Sequence, residues 1–224
     1  MTEMKTVLLT GFEPFDGAAT NPSWEAVRLL DGWSGAHSAI PFKVVARELP
    51  CVFGRAAEAL LVAVGEVRPD VVIAVGQAGG RPEISLERIA INVDDARIPD
   101  NAGQQPVDVS IAADGPAAYF TTLPIKAMAA AIREQGIEAG VSQTAGTFVC
   151  NHVFYALMHH LRERGRAVKA GFIHVPFLPE QATAHPVQPT PAMALDEIVA
   201  GLRVAVEVAL ALDTDVLLAG GATH

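Results

Sequence analysis

Cysteine is scarce in this chain: two in 224 residues, Cys51 and Cys150. There is no CxxC pair, no HExxH and no Cys/His cluster at metal-ligand spacing. This excludes a disulfide-stapled scaffold and argues against a structural zinc site; the two cysteines could pair, but so few suit a reducing compartment, where a disulfide is not expected. Positive charge is also short, with 16 Lys and Arg against 25 Asp and Glu, a net charge of −9. An acidic surface disfavours general nucleic-acid binding and docking on anionic lipid. Long apolar runs are missing. The run at Val7–Thr10 is too short for a signal-peptide core, and no uncharged stretch reaches the ~18 residues that suggest a membrane span. A cytoplasmic location is expected. Heptads and internal repeats are absent, which excludes coiled coils and solenoids.

What is present is a core-forming composition, 50% hydrophobic and 18% charged, which suits one domain over residues 1–224. Apolar runs alternate with helical spacing. Val7–Thr10 reads as a buried strand, and Asn21-Pro22 as a helix start that runs on through Trp24, Val27 and Leu30. Residues 53–67 have helical spacing, and Val71–Val75 is a β-branched run covered on both faces. Ile125, Met128 and Ile132 mark a helix, Lys169–Val175 a strand, and Leu195–Val206 a last helix. This alternation predicts an α/β fold with a largely parallel sheet between helix layers. Residues 94–117, rich in Asp, Gly, Pro and Gln, read as a loop or hairpin excursion of the functional kind. Residues 216–224 read as a flexible tail.

Cys150 stands where Thr144–Cys150 meets an amphipathic stretch through Val153, Phe154, Leu157 and Leu161. A helix N-terminus there would lower the thiol pKa and favour a nucleophile; a small buried hydrophobe is the plainer alternative. A nucleophilic thiol needs a base and the base an orienter. His174 ends an apolar strand before Pro176, on the rim where parallel sheets gather ligands, although it also reads as a structural strand-end histidine. His152 reads as pointing away on its helix, His159 and His160 as solvated helix residues, and His37, His185 and His224 as loop or tail residues. Glu87 and Glu83 both follow the Gly76–Arg81 turn, and neither is preferred as orienter on these grounds. The glycine-rich turn lacks the phosphate-loop spacing GxxxxGK[ST]. Phe12 and Phe15, in the Gly/Pro loop Gly11–Gly17, either fold back onto the core or wall an apolar pocket.

Seven blocks in order, Thr10–Gly17, Asn21–Trp24, Gly76–Arg81, Glu87–Asn92, Arg97–Asn101, Thr144–Asn151 and Phe172–Gln181, resemble the pyroglutamyl-peptidase I family. The resemblance implies a three-layer α/β/α sandwich and a cysteine peptidase that removes N-terminal pyroglutamate from peptides. It implies a triad of Cys150, His174 and Glu87, which decides against Glu83. It implies a pocket of Phe12, Phe15, Gln77, Phe148 and Val149, with Arg97 near the reacting carbonyl. It implies no metal or organic cofactor and a homodimer or homotetramer. Asp16 stands where many members carry glycine, and Cys51 matches no catalytic position. Two other readings stay open: a nucleoside phosphorylase on a similar sheet, and an inactive binder of blocked N-termini.

Overall fold

The computed structural model describes residues 3–35, 40–165 and 167–221; His37 and His224 lie outside them. Eight strands and six helices follow in chain order among these residues: β1 (Lys5–Phe12), α1 (Pro22–Arg28), β2 (Phe42–Leu49), α2 (Arg55–Val67), β3 (Val71–Gln77), β4 (Ile84–Glu87), β5 (Ile89–Ile91), β6 (Ala118–Phe120), α3 (Ile125–Glu134), β7 (Ala139–Ser142), α4 (Val149–Glu163), β8 (Lys169–Val175), α5 (Pro179–Ala184) and α6 (Leu195–Ala211). Six strands form the main sheet in the order β2-β1-β3-β8-β4-β7. Four of them run parallel; β4 is antiparallel to β8 and carries β7 with it.

Strand parity sorts the core into two layers. Val7, Leu9, Val71, Ile73, Val75, Ile84, Leu86 and Ile173 pack with buried residues of α1, α3 and α6. Leu8, Phe12, Val72, Ala74, Ala170 and Phe172 pack with α2 and α4 on the other face. The expected α/β/α sandwich is therefore present. Every residue of Val71–Gly76 is buried, which explains the unbroken apolar run. Each such Val or Ile contributes ~1.5–3 kcal/mol of transfer free energy. By the same parity, Gly76, Ser85, Glu87 and His174 all face the α4 layer.

The start of α1 matches the sequence reading, with Asn21 Oδ1 accepting from Ser23 N and Pro22 in the first turn. The helix ends earlier than its apolar spacing suggests, at Arg28, and a tight turn tucks in Leu30, whose N–H donates to the Val27 carbonyl. At Gly11, a Cβ would lie 2.6 Å from the Trp24 backbone, so only glycine lets α1 approach β1 this closely. The alternating segment Glu87–Asn92 is not one strand. Glu87 closes β4, and β5 leaves the main sheet to pair with β6 in a separate antiparallel ladder. The buried Asn151 side chain holds β5 there, accepting from Ile91 N and donating to the Ile91 and Val93 carbonyls. Residues 92–117 thus connect the strands of a hairpin. They carry one bridge, Asp94 to Val109. The Asp100 carboxylate, accepting from the N–H groups of Phe53, Ala102 and Gln104, folds them onto the body. Near the C-terminus, Asp215 accepts from Lys126 N and Ala127 N at the start of α3, and the Gly220 carbonyl accepts from Arg88. No helix among the described residues is long and apolar enough to cross a membrane.

Candidate active site

Cys150 is the second residue of α4. The N-cap residue Phe148 is extended and supplies no side-chain cap. The first-turn N–H groups therefore lack a side-chain cap at the positive end of a 15-residue helix. The sulfur rests on β3: a Cβ built on Gly76 would lie 2.8 Å from Cys150 Sγ and 2.8 Å from the Phe172 ring. Gly76 is in register with His174 on the neighbouring parallel strand. Registered residues on parallel strands face the same side and sit about 4.8 Å apart. The sulfur over Gly76 and the imidazole of His174 are thereby neighbours across one strand spacing. Gly76→Ala should push the sulfur aside, and since a misplacement of ~1 Å can cost ~10²-fold in rate, kcat of the variant should fall on that scale while the fold persists. Unchanged turnover in Gly76→Ala would show that the sulfur does not need this seat.

His174 is buried, 4% exposed, with its ring 4.8 Å from that of Phe172. Its Nδ1 is 2.7 Å from Glu87 Oε1. Glu87, 0% exposed, lies diagonally across the antiparallel β4–β8 pair, where Ser85 and Glu87 are in register with His174 and Phe172. Glu83 has the same parity but packs over Gly140 of β7 at the sheet edge. With Nδ1 engaged by a carboxylate, Nε2 is the nitrogen left to exchange a proton with the sulfur.

Burial opposes ionisation of Glu87. The hydrogen bond and charge of His174, with Ser142 and Arg81, outweigh it and hold the carboxyl below its usual range. The thiol of Cys150 moves the other way from the helix-end expectation. Burial first, then the neighbouring Cys51 and the Glu87 carboxylate, push it well up, and only Arg81 pulls it down. As a residue, Cys150 is half-buried. Cys51 is buried, 3% exposed, and burial pushes its thiol up to about 12.

Aromatic rings line the rim beside the sulfur. Phe15 and Phe148 lie 6.1 Å apart, Phe148 meets Phe53 edge-on at 5.2 Å, and Phe12 packs on Phe172 at 6.3 Å. Phe12 is buried, while Phe15 and Phe148 are partly open and face the loop cluster. Val149, at 0% exposure, lies in the core behind them. Gln77 ends β3, and its side-chain oxygen accepts from Gln181 Nε2 at 3.0 Å. The long loop is pinned to the approach to α4, where Asp95 N donates to the Thr147 carbonyl and Thr147 Oγ1 to the Asp95 carbonyl. Arg97 follows two residues later with an exposed side chain, its own carbonyl taken by Gln105.

A family model described as pyroglutamyl peptidase matches residues 5–212. The chain is 61% identical to a pyrrolidone-carboxylate peptidase of Cupriavidus taiwanensis, covering 99% of this chain and 100% of the relative. The chain belongs to the pyroglutamyl peptidase family. The crystal structure of pyroglutamyl peptidase I from Bacillus amyloliquefaciens superposes with a TM-score of 0.92 at 45% identity, covering 97% of this chain and 100% of that one. A variant pyrrolidone carboxyl peptidase from Pyrococcus furiosus superposes with a TM-score of 0.87 at 43% identity, covering 92% and 98%.

Within this pyroglutamyl peptidase fold, two features of the rim escape a reading of residue types alone. Arg81 bonds Glu87 Oε1 at 2.7 Å, yet in sequence it only closes a glycine-rich turn. His152 does not point away into solvent: its Nδ1 is 2.8 Å from Asp94 Oδ2, and its Nε2 accepts from Gly54 N at 3.1 Å. That pair ties the start of α2, beside Phe53, to the long loop. His159 is likewise engaged, with Nδ1 2.8 Å from the Tyr119 hydroxyl. Asp16 has φ of 53°, a left-handed conformation that favours glycine and that aspartate tolerates better than most residues. The aromatic loop thus keeps its turn with aspartate at this position.

Proposed function

We propose that this chain hydrolyses the amide bond following an N-terminal pyroglutamyl residue, with Cys150 as nucleophile, His174 as acid and base, and Glu87 as its orienter. The observation that carries this reading is the seating of the Cys150 sulfur over Gly76, the strand neighbour of a His174 whose Nδ1 is held by a fully buried carboxylate.

The Cys150 proton passes to His174 Nε2 as the sulfur attacks the pyroglutamyl carbonyl. Because burial opposes ionisation of the lone thiol, sulfur ionisation and imidazole protonation proceed together, with Glu87 stabilising the imidazolium. The oxyanion meets the uncapped N–H groups at the start of α4, and the family resemblance assigns the exposed Arg97 to add a positive charge near it. The C–N bond then breaks, and the leaving amine takes its proton from His174. Water gives a proton to His174, its oxygen attacks the thioester, and pyroglutamate leaves as the S–H bond re-forms. No step requires a metal or cofactor.

Specificity follows from the lactam. It is neutral, so it suits a slot between the partly open Phe15 and Phe148, with the buried Phe12 and Val149 behind them, where a charged amino terminus would lose its hydration. The amide of Gln77 supplies a polar partner for the ring. A site built around such hydrogen bonds can reject molecules lacking them by ~10⁴-fold or more. The chain is expected to work in the cytoplasm as a homodimer or homotetramer; the exposure of the apolar side chains of Val107, Val109 and Phe120 on the hairpin supports assembly.

The test is release of a fluorophore from a pyroglutamyl amide, with and without iodoacetamide. Phosphate-independent cleavage, abolished in step with alkylation of Cys150, is the expected result. Iodoacetamide should label Cys150 well before the buried Cys51. Absence of turnover, a requirement for phosphate, or equal labelling of both thiols would overturn the assignment.

A further inference from the structure

We propose that Arg81 is a positioning residue of this active site, one that holds the Glu87 carboxylate and the loop delivering Cys150 in a single geometry. The inference rests on the triad assigned above.

Arg81 closes the turn after β3, the strand whose Gly76 seats the sulfur. Its Nη1 donates to Glu87 Oε1 at 2.7 Å, the same oxygen that lies 2.7 Å from His174 Nδ1. Nη1 also reaches Ser142 Oγ at 3.3 Å, and Nη2 donates to the Thr144 carbonyl at 3.0 Å. The loop from Ser142 to the start of α4 is tightened locally by Thr144 N donating to Ser142 Oγ and Gly146 N to Thr144 Oγ1. One guanidinium therefore spans the orienting carboxylate and the segment that leads to the nucleophile. A planar fork can do this; an ammonium has the charge without the fixed directions.

Electrostatics give Arg81 a second effect at the same place. The groups facing Glu87 are His174 from β8, Ser142 from β7, Arg81 from the turn and Cys150 from α4. Arg88, next to Glu87 in the chain, donates instead to the Gly220 carbonyl. Without Arg81, a buried carboxylate would confront the sulfur with one positive partner fewer. Glu87 would be easier to protonate and Cys150 harder to ionise.

The experiment compares wild type with Arg81→Gln and Arg81→Lys. Arg81→Gln should lower kcat by ~10- to 100-fold, the scale for loss of a residue that orients a catalytic group. KM for the pyroglutamyl amide should hardly change. The acid limb of kcat/KM should move to higher pH, because ionised Glu87 is required and its carboxyl no longer has Arg81 to hold it down. Alkylation of Cys150 by iodoacetamide at fixed pH should slow. Arg81→Lys should restore part of kcat and return the acid limb toward wild type, and it serves as the test variant if Arg81→Gln does not fold. An unchanged kcat and acid limb in Arg81→Gln would overturn the proposal. So would a loss in which KM rises as much as kcat falls and the lysine variant rescues nothing. Alkylation needs no substrate, so it separates the two readings. A wild type that releases no pyroglutamate sinks the functional assignment, whereas equal alkylation rates in wild type and Arg81→Gln sink the role of Arg81.

Discussion

Cys150→Ser should leave a folded protein that has lost turnover of a pyroglutamyl amide by ~10³-fold or more, the scale on which removal of a triad nucleophile acts elsewhere. The hydroxyl is smaller than the thiol and enters the same seat over Gly76, so packing changes little. What changes is acidity. Burial already pushes the Cys150 thiol up, with Cys51 and the Glu87 carboxylate acting in the same direction. A serine hydroxyl, far less acidic than a thiol, would have to give its proton to His174 from the same water-poor position and against the same carboxylate. The variant should bind pyroglutamyl peptides nearly as wild type does, because Phe12, Phe15, Phe148 and Gln77 are untouched. Steady-state kinetics with an equilibrium binding measurement on the variant separates these quantities. Near-normal release of pyroglutamate by Cys150→Ser would remove the sulfur from the mechanism.

Much of the framework that seats this sulfur is local and therefore legible in sequence. Asn21-Pro22 starts a helix because side-chain capping and proline preference act within a few residues. Val71–Val75 reads as a doubly covered strand because all its residues are apolar. Cys150 falls at a helix start because an amphipathic pattern begins just after it. Other features depend on pairing between distant segments. Glu83 and Glu87 share strand parity, and only the antiparallel packing of β4 on β8 sets Glu87 against His174. The short strands β4 and β7 are held by that pairing, and their four-residue sequences carry little pattern of their own. Arg81 bonds a carboxylate only six positions on, but the contact exists because the chain turns back into β4. The upward push on the Cys150 thiol has the same kind of origin: a helix end is visible in sequence, whereas the burial that raises the thiol is tertiary. The family resemblance bridges the choice between Glu87 and Glu83, and the hydrogen bond from His174 supplies its physical reason.

His174→Ala should lose turnover by ~10³-fold or more as well, but with a second signature that Cys150→Ser lacks. The imidazole takes part in both halves of the reaction, so acylation and deacylation both suffer, and alkylation of Cys150 should slow because no neighbouring base takes its proton. The second signature is acid stability. In the wild type, burial tends to raise the Glu87 carboxyl above its ordinary 4.5, and the bond and charge of His174 are the leading causes that lower it instead. A carboxyl lowered in the folded state contributes stability that is present above about 4.5, its ordinary value, and is lost as pH falls through the lowered value. Removing His174 leaves Ser142 and Arg81 to oppose burial. The folded-state value of Glu87 then rises, its contribution at neutral pH shrinks, and acid unfolding begins at higher pH than in wild type. Cys150→Ser leaves the His174–Glu87 bond in place and should unfold in acid as wild type does. Circular dichroism melts of the three proteins across pH 3 to 7 would test this, an acid window set by the linkage between carboxylate protonation and unfolding. If His174→Ala and wild type shared one acid transition, Glu87 would not depend on the imidazole for its charge, and the orienting bond could not carry the role assigned to it.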